Sequence, residues 1–154
     1  MKKYKDIFGI IEHVSLPEVG LFDVPAKVDT GAYSGALHCE SIEECLLPDG
    51  KTMLRFILPG GRTVELKKFV RTFVRSSSGH RLRRYLFDTK VIIKGEEYSI
   101  RIGLSDRKDM NYEILLGRRF LHDNHILVDV KLNQDLDIDR KKKNENSHII
   151  QRSC

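Results

Sequence analysis

Turn signals cut this chain into runs too short for anything but strands. Pro17 with Gly20, Pro59-Gly60-Gly61, Ser78-Gly79 and Lys94-Gly95 each fall between apolar stretches, and Gly and Pro are the strongest local punctuators of structure. The clearest run is 22–29, where Val24, Ala26 and Val28 face one way and Asp23 and Lys27 the other. That period of two is the mark of a half-buried strand. Further strands are expected over 7–14 and, running into a loop, over 37–47. Hairpins are expected over 53–66 and 82–104, and short strands over 112–116 and 125–130. Only 118–124 reads as one or two helical turns. Six to nine strands, one short helix and no solenoid repeat predict a mainly β, all-β barrel or sandwich-like domain.

A chain of 154 residues suits one domain with a real core. We divide it into a folded domain over 1–133 and a basic, disordered tail over 134–154. The last fifteen residues, 140–154, explain most of the formal charge of +5, since Arg140, Lys141, Lys142, Lys143 and Arg152 there face Glu145 alone, and residues 1–139 carry only +1. A nearly neutral body carries no nucleic-acid footprint. The apolar run 7–11 meets Glu12 too early for a signal peptide, and no stretch approaches a membrane span. The three cysteines, Cys39, Cys45 and Cys154, are odd in number and lack a disulfide spacing, so a cytoplasmic setting is expected.

The chemistry sits in Asp29-Thr30-Gly31, followed by Ala32, directly after the strand that ends at Val28. A second apolar run closed by glycine, Ile114-Leu115-Leu116-Gly117-Arg118, completes the set. A carboxylate at a strand end, a glycine that lets backbone approach and a hydroxyl that can tie the turn suit aspartic proteolysis. That chemistry needs two carboxylates sharing a site, one a base and one an acid. The other aspartates lack this context: Asp88-Thr89 is followed by Lys90, and Asp49-Gly50 has no hydroxyl residue between. A second copy of the chain must supply the partner acid, and an isologous homodimer is expected.

These segments, with Glu18-Val19-Gly20, Leu37-His38, Ser76 to Arg81 with Arg84-Tyr85, and Ser105 to Met110, resemble a known family. It is the retropepsin-like aspartic proteases of bacteria and archaea historically labelled ATP-dependent zinc proteases. Its members are often encoded beside, or fused to, RimK-type ATP-grasp glutamate ligases. The resemblance implies a retropepsin-like closed barrel (the acid protease fold), dimerisation and Asp29 as the catalytic residue, and two-carboxylate chemistry needs no cofactor. It also implies a flap hairpin over 70–86, with Ser77, Ser78, Gly79 and His80 at its tip. Gly35 departs from many relatives, which carry Ser or Thr there.

Between Arg71 and Arg84 stand five arginines, His80 and no acid. In a strand, Arg81 and Arg83 share one face and Arg84 takes the other. Guanidinium groups pair carboxylates in forked geometry, so acidic peptides or glutamylated protein tails are the expected substrates, with a RimK-type ligase as a further expected partner. A solvated charged hairpin is the alternative. Two other functions stay open: a module that binds acidic tails without cutting them, and a zinc hydrolase using His38, Cys39, Cys45 and His80. The zinc set lacks a recognised spacing, and no phosphate-binding loop supports ATP dependence.

Overall fold

A computed structural model of the chain describes residues 3–138. The tail expected beyond residue 138, Cys154 included, lies outside the described residues. The strands run in the order β1 (Asp6–Phe8), β2 (Ile11–Leu16), β3 (Leu21–Val28), β4 (Gly35–His38), β5 (Glu40–Leu46), β6 (Thr52–Ile57), β7 (Thr63–Leu66), β8 (Val70–Arg75), β9 (Arg81–Ile93), β10 (Glu96–Ser105), β11 (Ile114–Leu116) and β12 (Ile126–Val128), with α1 (Arg118–Asp123) between the last two. No helix among the described residues is long and apolar enough to cross a membrane.

Six strands close into a barrel in the order β10-β4-β11-β3-β2-β9, with β9 pairing back onto β10. Strand β8 extends this sheet beyond β9, and β5-β6-β7 form a separate three-stranded sheet. Alternation builds the wall. Tyr98, Ile100 and Ile102 of β10 are at most 4% exposed while Ser99 and Arg101 between them are exposed. The same core holds Ala26, Leu37, Ile114 and Leu116, and it continues into Leu54 and Phe56 of the smaller sheet. Phe56 meets Phe87 of the barrel with ring centroids 6.1 Å apart.

The turns follow local chemistry. Lys94 and Gly95 join β9 to β10 with φ of 53° and 79°, the two-residue hairpin geometry that matches strand twist. The described chain holds twelve strands, three more than the upper expectation of nine: β8 is the first arm of the hairpin expected over 70–86, and two runs are split for local reasons. The run 7–14 breaks at Gly9, where a Cβ would lie 2.4 Å from the Leu132 carbonyl oxygen. The run 37–47 divides at Cys39, whose amide leaves the strand to donate to the Ser105 carbonyl. At the other end, residues past 133 stay on the barrel: the Ile138 amide donates to the Tyr112 hydroxyl at 2.8 Å, and that hydroxyl donates to Asp137 at 3.0 Å.

Candidate active site

The barrel topology brings the two sequence elements of the site together. Strand β11 lies between β3 and β4, parallel to the first and antiparallel to the second. Where β3 ends, the Asp29 amide donates to the Leu116 carbonyl at 2.9 Å. The Arg118 and Arg119 amides, at the start of α1, donate to Ala32 and Tyr33 at 2.7 and 3.1 Å. The Asp29 turn and the Gly117 turn are thus laced backbone to backbone. Only glycines allow it: a Cβ on Gly117 would lie 2.7 Å from the Gly35 nitrogen, and one on Gly35 would lie 2.6 Å from the Leu115 carbonyl oxygen. This close approach accounts for the glycine at 35 in this chain.

Asp29 itself is half-buried. Its Oδ1 accepts a hydrogen bond from the Gly31 amide at 2.9 Å, which fixes the carboxylate at the rim of the turn. Thr30 is exposed, and its carbonyl accepts from the Arg118 guanidinium at 3.4 Å. That guanidinium also sits 5.7 Å from the Tyr33 ring. Among the described residues the Thr30 hydroxyl has no partner. A cavity of about 330 Å3 opens beside the turn, lined in part by Tyr33, Ser34, Gly35, Leu86 and the Asp88–Arg101 ion pair. The Arg101 guanidinium holds the Asp88 carboxyl below the usual carboxylate range.

The remaining predicted site residues lie on the β8–β9 hairpin. Ser77, Ser78, Gly79 and His80 form its exposed tip, closed by bonds of its own: Ser76 Oγ to Ser78 Oγ at 2.9 Å, and the His80 amide to Ser76 Oγ at 3.2 Å. Arg81 and Arg83 share one face, over Phe73 at 4.3 and 5.8 Å. On that face the hairpin is pinned to the smaller sheet. Arg71 donates to Glu44 and, at 2.9 Å, to the Thr52 hydroxyl, and Arg83 stands 3.8 Å from the same carboxylate. The Arg71 hydrogen bond, above all, holds the Glu44 carboxyl below its ordinary range. Arg84 lies on the opposite face. The structure therefore gathers Asp29, Thr30, Gly31 and Ala32 into one turn and keeps the hairpin residues on a separate element.

Sequence reading missed Glu44 and Arg118. Glu44 sits in a mixed stretch, and nothing local signals a partner 27 residues away. For Arg118 the signal was its place directly after the glycine-ended run. As for metal ligands, no group of three or more His, Cys, Asp or Glu converges among the described residues. Cys39 is fully buried, and burial pushes its thiol up to about 12, away from the thiolate that binds metal.

Comparisons with known proteins agree with this geometry. A Legionella pneumophila protein of unknown function, solved by crystallography, superposes with a TM-score of 0.67 at 30% identity, covering 83% of this chain and 95% of that one. A probable alpha-L-glutamate ligase of Shewanella pealeana is 29% identical over 136 residues, which is 84% of this chain. One from Parasynechococcus marenigrum is 31% identical over 135 residues, or 81% of it. The chain spans only 29% and 28% of the length of those two relatives. Residues 7–137 match the family model described as the retropepsin-like aspartic endopeptidase RimB, and the chain belongs to that RimB-like family.

Proposed function

We propose that the protein is an aspartic endopeptidase that works as a homodimer, each copy supplying one Asp29. The observation that carries this reading is a single half-buried carboxylate fixed at the end of a barrel strand by the Gly31 amide. Two such groups brought together cannot both ionise, so their proton affinities split. The ionised Asp29 takes a proton from water as the water oxygen bonds to the scissile carbonyl carbon. The protonated Asp29 of the second copy gives its proton to the carbonyl oxygen. As the tetrahedral centre collapses, the C–N bond breaks, the leaving nitrogen takes a proton from the first carboxyl, and a hydroxyl of the centre returns its proton to the second carboxylate.

The substrates proposed are Glu-rich peptides or glutamylated protein tails in the cytoplasm. Two features support this: a hairpin with five arginines and no acid between Arg71 and Arg84, and matched relatives named as probable glutamate ligases. A ligase of that class would make what this domain cuts. The test is Asp29→Asn, which should lower kcat on a glutamate-rich peptide by roughly 10²–10⁴-fold or more and leave the circular dichroism spectrum unchanged. Full cleavage by that variant would sink the assignment. An inert wild-type protein that still binds the peptide would identify a recognition module instead.

A further inference from the structure

The hairpin arginines are not equivalent. On one face of β9, Arg83 leans toward Glu44, which Arg71 already occupies, and Arg81 stacks on Phe73. Arg84 points the other way, is partly buried, and has no hydrogen-bond or ion-pair partner among the described residues. It lies flat on β10 at Gly103: a Cβ there would meet Arg84 Nε at 2.7 Å and Nη2 at 2.9 Å. A guanidinium withdrawn from water and left unpaired is costly, and this one has a floor shaped to hold it.

Register relates that floor to Asp29. Gly103 pairs with Ala36, Ala36 with Leu115, and Leu115 with Lys27. Register partners share a face of the sheet, and Asp29 lies two residues past Lys27, so alternation carries it to the same outer side. The guanidinium sits three strand spacings from β3, roughly 14 Å at ~4.8 Å each. Side chains on one face of an extended peptide recur every ~7 Å, so two such repeats, about four residues, span that distance from the scissile bond. The same face carries a second polar group awaiting a partner. His38, two residues along β4 from Ala36, has its Nδ1 buried with no hydrogen bond among the described residues.

We infer that Arg84, seated on Gly103, is a carboxylate-binding subsite that selects an acidic side chain of the substrate. The inference rests on the reading that the Asp29 face receives peptide. The pocket takes the forked, two-bond geometry that guanidinium and carboxylate share. Arg71 and Arg83, committed to Glu44, do not select.

The test uses the full chain and two probes, pentaglutamate and pentaglutamine, with binding measured by calorimetry and cleavage measured separately. Wild type is expected to favour pentaglutamate at least tenfold in binding. Arg84→Met, which keeps the aliphatic stem, should erase that preference. Arg84→Lys should weaken it, and Gly103→Ala should weaken it by displacing the guanidinium with Arg84 still present. Arg83→Ala should leave it intact. If Arg84→Met fails to fold, the Lys and Gly103 variants decide. An unchanged preference in the Arg84 variants, or none in wild type, overturns the subsite whether or not the protein cleaves. A preference lost with Arg84 in a protein that cuts neither probe upholds the subsite and removes the peptidase reading.

Discussion

Asp29 is held by two short backbone contacts, one on its amide and one on its carboxylate, so its orientation is set by the turn rather than by a neighbouring side chain. The same local logic separates the cysteines. Cys39 is sealed in the core and its thiol is pushed up to about 12 by burial, whereas Cys45 is only partly buried. Alkylation at pH 8 followed by peptide mapping should therefore label Cys45 in the native protein and reach Cys39 only after denaturation. Early labelling of Cys39 would mean that the barrel opens at its β4–β10 seam.

At the scale of elements, two contacts carry the site, and each gives a prediction. The first is the glycine crossing at 35 and 117. Gly117→Ala places a methyl group 2.7 Å from the Gly35 nitrogen and 2.6 Å from the Ser34 carbonyl carbon. Backbone cannot yield there as a side chain would, so the variant should lose about 1–3 kcal/mol of stability, read from urea denaturation. The second is the Glu44–Arg71 pin. The folded pKa of Glu44 is depressed, chiefly by the Arg71 hydrogen bond, so its contribution is complete above the ordinary value of 4.5. It is lost as pH falls below that value through the folded one. Hydrogen exchange in β8 and β9 should accelerate across that acid range in wild type and be fast throughout in Glu44→Gln. The strands and the Asp29 turn were legible because alternation and turn residues are local. The pin was not, since the register between β5 and β8 is set by how two sheets meet. The split of the strand at Gly9 was also hidden: its cause is the Leu132 carbonyl, on a segment more than a hundred residues on.

The whole molecule is half of the chemistry proposed for it. Thr30 is exposed, its hydroxyl has no partner among the described residues, and it adjoins Asp29, so the turn offers a second copy both an acid and a donor. At constant total protein, an equimolar mixture of wild type and Asp29→Asn protein should show activity below the half expected of independent monomers, and sedimentation should report a dimer under the same conditions. A strict monomer that cleaves would defeat the two-chain mechanism. Closure of β9 on β10 leaves the barrel proper without a rim, but among the described residues β8 is bonded on one side only. Along it Val70, Phe73 and Val74 stand exposed, and Arg75 faces Arg81 across the hairpin. An open ribbon of this kind is a template for stacking identical chains. Like charge at its end is what keeps such ribbons apart, so concentrated salt, by screening it, favours fibrous precipitation over orderly pairing.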